Sequence, residues 1–125
     1  MLLTHHRKGG IWVQLGGHVE SADTSLADAA RREGREESGI RELELASGRV
    51  LDLDRHELHR GFSCAAHWDV GFVAVASSAA AVRVSAESLD VRWFGVGALP
   101  SAVPPGFPER LATIRARAAA LPDLF

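Results

Sequence analysis

The sequence predicts a mixed α/β or α+β layered domain, and three observations carry that expectation. Short stretches that alternate like strands flank one internal segment with helical periodicity. A second helical segment closes the chain behind a proline-rich turn. The length, 125 residues, is that of one domain, expected to span 1–125 around a single core. Hydrophobic residues make up 46% and charged residues 24%, a balance that excludes a disordered or collagen-like chain.

Leu2–Thr4 and Ile11–Leu15 read as two strands joined at Lys8-Gly9-Gly10, since Gly-Gly is a hairpin signal. Gly16-Gly17 then breaks the strand. From Thr24 to Ser38 the pattern is helical, with Leu26, Ala29 and Ala30 at helix spacing and Ser25-x-x-Asp28 in the form of a capping box. Gly39 in a left-handed conformation, followed by apolar Ile40, is the expected stop. Glu42–Leu45 and Arg49–Asp54 alternate loosely as strands. Trp68–Ala76 is the most apolar stretch and is expected to be a central strand; Val91–Val96 is another. Ser77–Ala81 reads as a connecting loop. Pro100–Pro108 holds four prolines and so excludes regular structure, while Pro108 suits the first turn of a helix running to Leu121.

Composition narrows the function classes. One cysteine, Cys64, excludes an internal disulfide framework and a cysteine-based zinc cluster. A net charge of −2 gives no electrostatic footprint for nucleic acid or anionic lipid. No apolar run approaches the roughly 18 residues of a membrane span, and Met1-Leu2-Leu3 runs at once into His5-His6-Arg7-Lys8. A cytoplasmic protein without nucleic-acid or membrane partners is the expectation.

The informative segment is Gly16–Ile40. On a wheel turning about 100° per residue, Glu33, Glu36 and Glu37 share the side of Leu26, Ala29 and Ala30, whereas Arg31, Arg32, Arg35 and Asp28 lie opposite. Charge runs usually solubilise a helix end, and these glutamates admit that explanation. Three carboxylates crowded at i, i+3 and i+4 nevertheless repel unless a cation sits among them, and hard divalent cations such as Mg²⁺ favour oxygen ligands. Gly16-Gly17 lets backbone approach a ligand closely, and the loop ends at a helix N-terminus, which favours phosphate.

Gly17 and Arg32-Glu33-x-x-Glu36-Glu37-x-Gly39-Ile40 resemble the signature of the Nudix hydrolases, G-x5-E-x7-R-E-U-x-E-E-x-G-U, where U is a bulky aliphatic residue. The whole string is similar to a bacterial subgroup carrying GGHVE-x-x-DTSL followed by RE-x-REE-x-G. The resemblance implies a mixed β-sheet between helices, with the chain entering where family members are usually in their second strand. An edge left without that first strand would be open to pairing in a homodimer. It also implies a Mg²⁺- or Mn²⁺-dependent hydrolase of a diphosphate linkage, in a nucleoside diphosphate joined to another moiety. Glu36 and Glu37 would bind the metal with the Gly17 carbonyl, Glu33 would bind metal or activate water, and Glu87 would supply a further acid. Two departures stand out: Gly34 replaces the bulky aliphatic, which should loosen packing beneath the helix. The first acid is Asp23, separated from Arg32 by eight residues instead of seven, so the loop must bulge; an Asp23–Arg32 ion pair is expected.

Other candidates carry less. His56, His59, His67 and Asp69 form H-x2-H-x7-H-x-D, a spacing that matches no known zinc module and reads as strand-edge or pocket histidines. In the resembling subgroup comparable His and His-x-Asp positions occur in this region, which makes His67 and Asp69 candidate pocket residues and substrate ligands; His18, inside the signature loop, is a third. Trp12 reads as core before it reads as a base-stacking ring. The alternative to the enzyme is a Nudix-like nucleotide-binding or regulatory module without turnover.

Overall fold

The computed structural model describes residues 1–58 and 63–122. Their elements are β1 (Leu2–His6), β2 (Trp12–Val13), α1 (Leu26–Ser38), β3 (Glu44–Leu45), β4 (Asp52–Glu57), β5 (Ala66–Gly71), β6 (Ala74–Val75), β7 (Ser88–Trp93) and α2 (Phe107–Ala119). The class is α+β, as the pattern of strands and helices predicts. The strands form a three-stranded sheet in the order β2-β1-β7 and two-stranded sheets β3-β6 and β4-β5. Every ladder among them is antiparallel, where the sequence-based expectation was one mixed sheet. Among the described residues no helix is long and apolar enough to cross a membrane.

β1 is the centre of the largest sheet, and Leu3 and Thr4 on it are buried. The Thr4 hydroxyl is 2.6 Å from that of Ser88 on β7, so these two buried hydroxyls satisfy each other. The β1–β7 register slips between His5 and His6, after which the Arg7 N–H donates to the Glu87 carbonyl at 3.3 Å. The Arg7 guanidinium reaches the Ala86 and Ser88 carbonyls at 3.3 and 3.4 Å. These bonds hold Glu87 at the end of β1.

α2 joins the two apolar clusters. Its first residue, Phe107, packs with Leu3 and Trp12; Ile114 and Ala118, about two and three turns on, pack with Leu51 and Val73. Trp12 is thus a core residue, edge-on to Phe94 at 4.9 Å between ring centres. Arg110 on the same helix binds Asp52 at 2.6 Å through Nε and Asp54 at 3.1 Å, and Arg117 donates to the Leu51 carbonyl at 2.8 Å. The paired guanidinium is what permits Asp52 to be buried.

Trp68–Ala76 is not a central strand. It divides at Gly71 into β5 and β6, which belong to different small sheets. Gly71 lies against Asp52, with a hypothetical Cβ only 2.9 Å from the Asp52 Cβ, and the chain then leaves β4 to pair with β3. Trp68 is 76% exposed and its ring carries the Arg55 guanidinium at 5.5 Å, so the apolar run does not mark burial here.

α1 begins at Ser25, whose hydroxyl accepts from the Asp28 N–H at 3.0 Å. The capping box is half made, because Asp28 turns to Thr24 and to Arg31, the latter at 2.8 Å. Gly39 ends the helix at φ 72°, donating to the Arg35 carbonyl at 2.8 Å. Gly34 does not leave the helix underpacked: Leu43 fills the space, its Cδ2 3.2 Å from where a Gly34 Cβ would stand. Leu43 therefore occupies the volume that a bulky aliphatic at position 34 would take.

Exchange of the two should reveal that shared volume. Gly34→Leu alone should cost about 1–3 kcal/mol through overpacking, and Leu43→Ala about 2–5 kcal/mol through a cavity. The double variant should lose less than the sum by at least about 0.5 kcal/mol. Urea denaturation midpoints measure this; strict additivity would show that the side chains do not share a site.

Candidate functional site

The segment between β2 and α1 is held chiefly by one side chain, Arg32. Its Nε and Nη2 bind the two oxygens of Asp23, each at 2.9 Å, and Nη2 also donates to the His18 carbonyl at 3.0 Å. Nη1 donates to Glu33 at 2.9 Å and Glu36 at 3.2 Å, with Glu20 at 3.5 Å. The extra residue before Arg32 is absorbed in a turn: the Asp23 N–H donates to the Glu20 carbonyl at 3.0 Å and the Glu20 N–H to Asp23 Oδ2 at 2.7 Å. The bonds from Arg32, then from the Glu20 amide, lower the Asp23 carboxyl to about 2 against the opposing effect of its desolvation.

The two glycines ahead of this loop have separate tasks. Gly17 lies directly over Glu33, and a Cβ there would collide with the Glu33 carboxylate. The Gly16 N–H donates to Glu37 Oε2 at 3.0 Å, and Glu37 is buried. Burial is the main cause that pushes the Glu37 carboxyl up to about 7; the charges of Glu33 and Glu87 add to it and the Gly16 amide opposes it. Loop, helix and the entry to β7 therefore bring Glu33, Glu37 and Glu87 within electrostatic reach of one another.

Glu36 stands apart. Its side chain is 61% exposed against 14% for Glu33, and it is paired with Arg32. The separation of acids from arginines on the helix wheel is thus incomplete. Arg32 is only about 40° from Glu36, and its long side chain reaches both Glu36 and Glu33. Arg35 is not an idle charge on the far side either, since its Nε donates to the Leu43 carbonyl at 2.9 Å and its Nη2 binds Glu44. A surface cavity of about 500 Å³ lies elsewhere, at Gly39, Arg41 and Glu42 facing Ser77 and Ala79–Ala81.

A second group forms on β4 and β5. His18 meets His67 edge-on at 5.5 Å between ring centres, and His67 meets His56 in the same way at 5.3 Å. Among the described residues, His56, His67 and Asp69 are the group of three whose ligand atoms all fall within 4.8 Å of one another. His59 lies outside the described residues. The sequence spacing gave no metal signal for this set; the cross-strand pairing His56↔His67, beside Asp54↔Asp69, is what gathers it. Cys64 is exposed and has only the weak contact of Ser63, 3.9 Å away.

The raised Glu37 carboxyl fixes the sign of a pH effect. A carboxyl held protonated in the folded chain stabilises the fold fully below its ordinary value of 4.5, and that contribution is lost as pH rises through about 7. Metal-free protein in chelator should lose denaturation midpoint across this window, and Glu37→Gln should flatten the loss. A profile unchanged by Glu37→Gln would place the titrating group elsewhere.

No curated protein matches the chain significantly. A family model described as the NUDIX domain matches residues 1–117. That family is one of pyrophosphohydrolases in general, which use divalent metals. With the match covering nearly all of the sequence, and with a glycine-led loop clamped onto an acidic helix at its centre, the chain belongs to the NUDIX domain family.

Proposed function

We propose that this protein is a Mg²⁺- or Mn²⁺-dependent hydrolase of a diphosphate linkage, acting on a nucleoside diphosphate joined to another moiety. The observation that carries the proposal is the crowding of Glu33, Glu37 and Glu87. Glu37 is buried, and the two neighbouring charges help keep its proton on near neutral pH. An all-oxygen donor set in which Arg32 reaches Glu33 but not the buried Glu37 suits a hard divalent cation.

Glu36, Glu37 and the Gly17 carbonyl would hold the metal, with Glu87 as a further acid. When bound, the metal would neutralise charge on the diphosphate and make water a better nucleophile. Glu33, fixed between Gly17 and Arg32, would orient the attacking water and accept its proton. The water oxygen bonds to one phosphorus, the bridging P–O bond breaks, and the electron pair leaves with the other phosphate. Arg32 has a positioning role, because it binds the loop and the helix at once. His18, His67 and Asp69, on one side of the loop, would contact the substrate. A homodimer that pairs at an edge of the β2-β1-β7 sheet belongs to the same proposal.

One observation favours a nucleotide-binding module without turnover: Glu36 is engaged by Arg32 instead of standing with the other acids. The same experiment separates the two readings. Incubated with Mg²⁺ or Mn²⁺ and a panel of nucleoside diphosphate derivatives, the enzyme should divide at least one substrate between its phosphorus atoms and leave phosphate monoesters intact. Hydrolysis of phosphate monoesters with none of any diphosphate would overturn the mechanism. Binding without product release would establish the module.

Glu33→Gln keeps the size of the side chain and removes the proton acceptor. It should lower kcat by at least about 10²-fold with the fold intact by circular dichroism. Near-normal kcat in a folded Glu33→Gln would remove Glu33 from the chemistry.

A further inference from the structure

Beyond the buried Asp52, which Arg110 engages, the β4–β5 ribbon carries four chemistry-bearing side chains on one face. Asp54 and His56 are two apart on β4, His67 and Asp69 two apart on β5, and the register pairs Asp54 with Asp69 and His56 with His67. Alternation puts all four on the same side, with cross-strand Cβ atoms about 4.5–5.5 Å apart. The opposite side carries Leu53, Arg55, Trp68 and Val70, so the polar square is a property of the face and not of the ribbon as a whole.

Two of the four acids and bases have distinct settings. Asp54 is taken by Arg110 at 3.1 Å. Asp69 has no arginine among the described residues; its ion-pair partner there is His56, whose Nδ1 is 3.4 Å from Asp69 Oδ2 and 3.6 Å from Asp54 Oδ2. These spacings are long for hydrogen bonds. One ligand atom each from His56, His67 and Asp69 already lies within 4.8 Å of the others. Tetrahedral zinc with nitrogen and oxygen ligands near 2.0–2.1 Å needs those atoms about 3.3 Å apart. Small rotations of side chains at the ribbon surface close that gap.

We propose that His56, His67 and Asp69 form a binding site for a borderline transition-metal cation, Zn²⁺ foremost, separate from the glutamates of α1. Two imidazoles and one carboxylate are a donor set that such cations prefer and that Mg²⁺ does not. Asp54, anchored by Arg110 and 3.6 Å from His56 Nδ1, adds a neighbouring negative charge beside the three ligands. Three protein ligands leave a coordination position for an anionic oxygen. His18, in ring contact with His67, ties this position to the signature loop, so the oxygen it would take is one on a phosphate of the substrate. The cation's binding itself does not depend on the hydrolase reading.

The test uses full-length protein freed of metal and titrated with Co²⁺ in excess Mg²⁺, followed by visible absorption, with Zn²⁺ as competitor. The wild type should take one equivalent of Co²⁺ into a low-coordinate site and release it to Zn²⁺. His67→Ala and Asp69→Asn should each weaken the binding by at least about tenfold, while Glu36→Gln leaves it unchanged. His56→Gln replaces His67→Ala should that variant fail to fold. No Co²⁺ or Zn²⁺ binding by the wild type, binding unaffected in the ribbon variants, or binding lost in Glu36→Gln would overturn the proposal. Failure of Mg²⁺-dependent hydrolysis would leave the Co²⁺ spectrum untouched, which keeps the two readings distinguishable.

Discussion

The Arg32 guanidinium is the constraint on which the site depends. It donates to Asp23 and His18 on the loop and to Glu33 and Glu36 on α1. A rigid planar fork can satisfy partners on two segments at once; an ammonium group cannot reproduce that geometry. The ordering of Gly16–Ser25 would otherwise cost about 1–2 kcal/mol for each residue fixed. Hydrogen bonds to Asp23, then to Glu33, hold the Arg32 proton more firmly than usual, so this charge is permanent across the range where proteins fold.

From that clamp follows the distribution of negative charge. Arg32 neutralises Asp23 and shares its remaining donors with Glu36 and Glu33, but it does not reach Glu37. The absence of a Cβ on Gly17 lets backbone and the Glu33 carboxylate occupy nearly the same place. Glu37 has a single amide, that of Gly16, to set against its burial and two neighbouring acids. A helix that merely faced solvent would have no reason to bury a carboxylate with so little compensation.

α2 acts in the same way on the other side of the chain. Its apolar residues bridge both clusters, while Arg110 and Arg117 fasten β4 through Asp52, Asp54 and the Leu51 carbonyl. With Asp52 and Asp54 engaged, the ribbon presents its histidines and Asp69 toward the end where His18 lies. The helix thus orients a polar face that two short strands could not hold by themselves.

Local rules settle much of this protein from the sequence. The extent of α1, its Ser25 cap and its Gly39 stop follow from short-range geometry, since caps and left-handed glycines act within a few residues. So do the proline-bounded start of α2 and the glycine loop with its acidic helix. What depended on partners far along the chain was not legible there. The apolar Trp68–Ala76 run gave no sign of its break at Gly71 or of Trp68 facing solvent, because Asp52 and β3 decide those outcomes. Gly34 looked like a packing loss until Leu43 was seen to fill its volume. Grouping the arginines opposite the acids overlooked that Arg32 is one turn from Glu36 and that its long side chain reaches Glu33 as well. His56, His67 and Asp69 have no metal spacing along the chain; only the register of β4 against β5, a long-range choice, brings them onto one face.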